Sequence, residues 1–143
     1  MSAGPKILVV DDTPQVVDFY CLLLRRMGCV PISAANGEDA LKYLNNAPSP
    51  FAVIILDLLL PGISGWDTLL KIRESEKHAD TPVIVITGLD LPEDQRARLL
   101  EHCQRIMRKT DFHLTAIRAV INDMLEISPE VPADTIGNSP EKR

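Results

Sequence analysis

Five short strand-like runs alternate with five segments of helical periodicity, and that alternation leaves the chain few folds to choose from. The runs lie at residues 7–10, 30–34, 51–56, 82–87 and 105–109. The first and third are apolar without a break, as strands buried on both faces are. Between the runs, Thr13 and Pro14 open a first helix. Val16, Val17, Tyr20, Leu23, Leu24 and Met27 share one stripe of it, and Gly28 ends it. Asn36 caps a second helix carrying Ala40, Leu41, Tyr43 and Leu44. Ser64 and Asp67 make a capping-box-like start to a third, expected to reach about Lys77. Pro92 opens a fourth, with Ala97, Leu99, Leu100 and Cys103 as its apolar side. A last helix over 112–127 carries Phe112, Ile117, Val120, Ile121, Met124 and Leu125 on one stripe. Strict alternation of this kind predicts an α/β fold. It is a doubly wound five-stranded parallel sheet with helices on both faces, joined by right-handed crossovers.

The 143 residues suit one domain, and 45% hydrophobic content suits a sizeable core. That domain is expected over 1–127. From Ser128 the composition changes: SPEVPADTIGNSPEKR has three prolines and no periodicity. Residues 128–143 are therefore expected to be a polar tail, or an arm lying on a dimer partner. A formal net charge of -5 disfavours nucleic acid as a partner. No signal-peptide core and no run of the ~20 apolar residues needed for a membrane span is visible. The expectation is a cytoplasmic protein with no membrane partner. Cys21, Cys29 and Cys103 have no metal-site spacing and are expected to be reduced thiols in or near the core. His78, His102 and His113 are expected to be ordinary surface histidines.

Ligands of an open parallel sheet sit outside the carboxyl ends of its strands. The first run ends in Asp11 and Asp12, the third in Asp57, the fourth in Thr87 and Gly88, the fifth in Lys109. Taken singly, each is ordinary: an Asp after a strand is usually a turn residue or cap, and a lone Lys is usually solvated. Taken together, three carboxylates, a hydroxyl and an ammonium converge on one edge. Three carboxylates there call for a cation. Hard oxygen ligands with room for water suit Mg²⁺. Lys109 can pair with Asp57 or an incoming phosphoryl group, Thr87 can donate to a phosphoryl oxygen, and Gly88 keeps the approach open. Phosphoryl transfer to a carboxylate needs such a set.

VVDD at 9–12, DLLLPGISG at 57–65, ITG at 86–88 and Lys109 resemble, in order and spacing, the receiver domain of two-component response regulators. NGEDAL at 36–41 resembles the opening of that family's second helix, and the likeness covers about 5–127. The resemblance implies the flavodoxin-like (βα)5 receiver fold and a signalling role, not an enzyme beyond self-phosphorylation and self-dephosphorylation. It implies that Asp57 takes a phosphoryl group from a sensor histidine kinase or histidine phosphotransfer protein. It implies Mg²⁺ ligation by Asp12, Asp57 and the Leu59 carbonyl, with Asp11 acting through water. Thr87 and Lys109 would bind the phosphoryl oxygens, and Pro61 and Gly65 would shape the loop after the nucleophile. The signal would pass to a downstream protein target. A homodimer through the fourth helix, fifth strand and fifth helix is implied as well.

Two positions depart from the family. Its aromatic residue three before the lysine is Ile106 here, which has no ring to swing inward. Its proline after the lysine, joined by a cis bond, is Thr110 here. A cis bond to a non-proline costs ~3 kcal/mol, so a trans bond with a reshaped loop, or a strained cis bond, is expected. Leu59 and Leu89 would make the rim of the site apolar, hinder attacking water and slow loss of the phosphoryl group. Two other readings stay open. One is a degenerate receiver serving as a scaffold. The other is a Mg²⁺-dependent phosphatase with an aspartyl nucleophile, although that class needs Asp-x-Asp and these two aspartates are adjacent.

Overall fold

The computed structural model describes residues 4–111 and 113–131. Five parallel strands form one sheet in the order β2-β1-β3-β4-β5: β1 (Lys6–Val10), β2 (Val30–Ala34), β3 (Val53–Asp57), β4 (Val83–Thr87) and β5 (Arg105–Arg108). The helices are α1 (Pro14–Arg26), α2 (Gly37–Asn46), α3 (Gly65–Glu74), α4 (Glu93–Leu100) and α5 (Leu114–Ile127). This is the flavodoxin-like order, as expected.

Successive strand residues point to opposite faces, and the two cores divide accordingly. Ile7, Val9, Val53, Ile55, Ile84 and Ile86 pack under α1 and α5, against Tyr20, Leu24, Ile117 and Ile121. Leu8, Val10, Ile54, Leu56, Val83 and Val85 pack under α2, α3 and α4, against Ala40, Leu44, Leu69, Ile72 and Leu99. Every residue of β3 and β4 is buried, which explains why both are apolar up to their last residues, Asp57 and Thr87. Pro31 sits in the edge strand β2, where a missing N–H costs the sheet least.

Helix punctuation was mostly legible. Asn36 accepts the Asp39 N–H at 2.7 Å, and Ser64 Oγ accepts the Asp67 N–H at 3.0 Å. Gly28 has φ +83°, past the C-cap residue Met27. Thr13 occupies the N-cap position, but its side chain does not cap. Helix α3 stops at Glu74 rather than near Lys77, and residues 76–78 form a separate 3₁₀ turn. Arg73 makes that stop: its guanidinium donates to the carbonyls of His78, Ala79, Thr81 and His102. On α4 only Leu99 is buried, while Leu100 is 43% exposed. Helix α5 starts at Leu114, and Phe112 lies outside the described residues. Ser128 and Val131 are buried, so the chain stays on the core through residue 131. The rest of the expected tail, 132–143, lies outside the described residues. Among the described residues no helix is long and apolar enough to cross a membrane. The three cysteines are unpaired, and burial pushes the thiols of Cys29 and Cys103 up to about 11.

His78 corrects the expectation of surface histidines: it is fully buried. Its Nε2 accepts the Phe51 N–H at 3.1 Å, which pins the start of the β3 segment. Burial, followed by the charges of Lys77, Lys6 and Arg73, lowers its pKa from 6.5 to about 4. The unfolded chain therefore binds the proton first as pH falls. The stability that His78 contributes is complete above about pH 6.5 and is lost between there and pH 4. The shift corresponds to about 3 kcal/mol. Urea unfolding at pH 7 and pH 4.5 should show a larger loss in the native chain than in His78→Gln. Equal losses in the two proteins would discount this histidine.

Candidate functional site

The sheet delivers the site from adjacent strands. Asp11 and Asp12 follow β1 directly, Asp57 is the last residue of β3, and Thr87 the last of β4. Lys109 follows β5, beside β4. Oxygens of Asp11, Asp12 and Asp57 lie within 4.8 Å of one another. Asp11 and Asp57 are buried, and Asp12 is exposed.

Two like charges ~4 Å apart cost about 4 kcal/mol at an effective dielectric constant of 20, so the cluster needs compensation. Asp57 Oδ2 accepts from Lys109 Nζ at 3.1 Å, and its Oδ1 accepts the Leu59 N–H at 3.1 Å. Asp11 Oδ1 accepts the Thr13 N–H at 2.9 Å. Thr13, which reads as helix punctuation, therefore helps to hold Asp11 in the site. Burial, and then the charge of Asp57, hold the Asp11 pKa above the usual carboxylate value, while the Thr13 N–H opposes them. One ammonium against three carboxylates leaves two negative charges over. A divalent cation restores neutrality. Hard oxygen donors with one exposed member, leaving room for water, fit Mg²⁺.

Thr87 Oγ1 accepts the Leu89 N–H at 3.0 Å, which leaves its hydroxyl proton to donate elsewhere. Leu59 and Leu89 are 54% and 42% exposed. At Gly88 an added Cβ would meet only Lys109 Cδ at 3.9 Å, an ordinary contact, so space does not demand glycine there. At Gly65 it does. A Cβ would lie 2.9 Å from the Leu58 carbonyl oxygen and closer still to the Asp57 carbonyl oxygen. Gly62 has φ +77°, which relieves the bend after Pro61. Glu38 accepts the Ile63 N–H at 3.1 Å and ties this loop to α2. That role has no signal in the sequence, because Glu38 and Ile63 are distant along the chain. Ile106 is buried in the core under α2–α4. The peptide bond between Lys109 and Thr110 is trans, like all others described, and a 3₁₀ turn over Lys109–Asp111 follows β5.

A sheet of order 2-1-3-4-5 with an acidic, cation-competent pocket at its carboxyl edge defines a receiver-type α/β domain. The sequence profile of the response regulator receiver domain matches residues 7–125, and the chain belongs to that family. Protein PilG of Pseudomonas aeruginosa is 32% identical over 90 residues, covering 62% of this chain and 64% of PilG. The phosphate regulon transcriptional regulatory protein PhoB of Escherichia coli is 34% identical over 96 residues, 67% of this chain and 41% of PhoB. The chain thus spans less than two thirds of either relative. Among solved structures, the receiver domain of sensor histidine kinase PA1611 from Pseudomonas aeruginosa superposes with a TM-score of 0.75 at 24% identity. It covers 86% of this chain and 98% of that domain, which holds a magnesium ion in its active-site cleft. At that identity it supports the fold.

The two glycines should separate cleanly. Gly65→Ala is expected to lower stability by about 1–3 kcal/mol, because backbone on both sides must shift. Gly88→Ala is expected to stay within about 0.5 kcal/mol. Urea denaturation of both variants checks this, and equal effects would contradict the packing at Gly65.

Proposed function

We propose that this chain is a phosphoacceptor of a two-component or phosphorelay pathway. It takes a phosphoryl group on Asp57 from a sensor histidine kinase or a histidine phosphotransfer protein. The observation that carries this reading is Asp57 itself, a buried carboxylate paired with Lys109 inside a three-carboxylate cluster. A carboxylate oxygen of Asp57 bonds to phosphorus as the P–N bond of the donor breaks. The bonding pair leaves on the imidazole nitrogen, which takes up a proton. Lys109 passes from the carboxylate to a phosphoryl oxygen, and Thr87 donates its hydroxyl proton to another. Asp12, Asp57 and the Leu59 carbonyl would hold Mg²⁺, with Asp11 acting through water. Mg²⁺, when bound, supplies the positive charge that lets an anionic phosphoryl group approach carboxylates.

The product is a signalling state rather than a released metabolite, so the protein is not an enzyme in the turnover sense. It acts in the cytoplasm through contacts with a downstream protein target. A homodimer through the face of α4, β5 and α5 belongs to the same reading. Ile106 offers no ring or phenol oxygen to report the phosphoryl group, so its output does not run through an aromatic swing. The exposed Leu59 and Leu89 lower the access of water to the phosphoryl group.

Incubation with Mg²⁺ and acetyl phosphate should give an acid-stable, base-labile adduct, seen by intact mass, that Asp57→Ala abolishes. Asp12→Ala should require more Mg²⁺ for the same yield. Absence of any adduct with every donor tried would favour a scaffold, and rapid turnover of many phosphoesters a phosphatase. The adduct of the native chain should persist for minutes or longer, and Leu59→Asn/Leu89→Asn should shorten its life. A half-life of seconds in the native chain would remove the role given to the leucines.

A further inference from the structure

A groove of about 370 Å³ lies beside the acidic pocket, lined by Leu58, Trp66, Leu89, Leu91, Leu99 and Arg98. Its walls come from the two segments that leave the site: β3 to α3 on one side, β4 to α4 on the other. Both walls are hydrogen-bonded to the reacting residues. The Leu59 N–H donates to Asp57 Oδ1 at 3.1 Å, and the Leu89 N–H donates to Thr87 Oγ1 at 3.0 Å. Where the segments meet, the Leu58 N–H reaches the Ile86 carbonyl at only 3.4 Å, a long bond. Converting Asp57 to an acyl phosphate alters the acceptor of the first bond. Turning Thr87 toward the phosphoryl group strains or breaks the second.

The geometry points to a phosphorylation-gated docking site for a partner's amphipathic helical segment, with leucine-like anchors and flanking carboxylates. This rests on the phosphoacceptor reading above. Among the described residues Arg98 is the ionised member of the lining, and its side chain is 63% exposed. It is held by a 3.8 Å contact with Asp94, itself 77% exposed. A surface pair of this kind is weak and readily exchanged for a partner's carboxylate. Leu89 of the lining is 42% exposed, and Leu59, next along the chain from Leu58, is 54% exposed, so exposed apolar side chains run on from the groove along the β3–α3 segment. A segment carrying anchors at i, i+3, i+4 and i+7 covers that extension, whereas a small ligand confined to the cavity does not. Release of the Leu89 N–H frees one wall to close on an anchor, so the phosphorylated state binds tighter.

Trp66 is the single tryptophan and reports on the groove directly. The full chain, with and without Mg²⁺ and acetyl phosphate, is titrated with two synthetic helical peptides. They share leucines at i, i+3, i+4 and i+7 and differ in having glutamate or lysine at the flanking positions. Intact mass records Asp57 phosphorylation separately. We expect Trp66 emission to shift on phosphorylation and the glutamate peptide to bind at least about fivefold tighter to that state. It should also be preferred over the lysine peptide, and Arg98→Glu should reverse the preference. Leu91→Ser should lose the peptide yet keep its circular dichroism spectrum and its phosphorylation. Equal or weaker binding to a chain shown to be phosphorylated overturns the gating. Indifference to peptide charge, or full binding by the serine variant, overturns the site. A chain that takes up no phosphoryl group overturns the phosphoacceptor reading itself, and the gating with it.

Discussion

Asp57 is a charge at the end of a wholly buried strand, and its surroundings make that placement tolerable. Lys109 approaches one oxygen and the Leu59 N–H the other. The ammonium comes from beyond β5 and the amide from the loop that follows the carboxylate. The amide is local, two residues along the chain, but the ammonium is in reach only because the sheet order leaves a single strand between β5 and β3. Adding Asp11 and Asp12 turns a compensated charge into an excess of two. That excess is a standing cost to the fold and a standing attraction for a divalent cation. Stability and function pull in opposite directions at this edge.

The loops around the site are fixed by features with no chemical role. The close approach at Gly65 brings the start of α3 against the backbone of Asp57 and Leu58. Glu38 holds the same loop from α2. Arg73, at the opposite end of α3, gathers four carbonyls and sets where that helix stops. The loop after Asp57 is thus clamped at its base, tied to Asp57 through the Leu59 N–H, and exposed at the Leu59 side chain. The β4–α4 loop is tied to the site through Thr87 and Leu89 alone among the hydrogen bonds described here. A structure rigid at the reacting atoms and loosely tied at its apolar rim is suited to convert a covalent change into a change of surface.

Most of the architecture could be read along the chain. The solid runs before Asp11 and Asp57 mark two interior strands, because a strand covered on both faces has no solvent side to alternate toward. Asn36 and Ser64 marked helix starts, because their capping bonds span three residues and are local. The boundaries that misled were those set at long range. Helix α3 ends early where Arg73 bonds to the carbonyls of the turn that follows and to that of His102, 29 positions on. His78 reads as a surface residue from its neighbours, since nothing nearby shows that its acceptor nitrogen serves the Phe51 amide 27 positions back. Thr13 proved to be held by the site rather than to cap the helix, which depends on the buried position of Asp11.

The sequence by itself determined the strand–helix alternation, the positions where carboxylates, hydroxyl and ammonium end the strands, and the two departures at Ile106 and Thr110. These follow from periodicity and residue type, which are properties of neighbours along the chain. The tertiary structure decided which oxygen of Asp57 meets Lys109, that Asp11 is spent partly on Thr13, and that Gly65 rather than Gly88 is the sterically required glycine. It also brought Leu58, Trp66, Leu89, Leu91 and Leu99 into one groove against the acidic pocket. Strand order sets such relations. The order β2-β1-β3-β4-β5 makes neighbours of segments that the chain keeps some thirty residues apart, and only folding brings them within hydrogen-bonding distance.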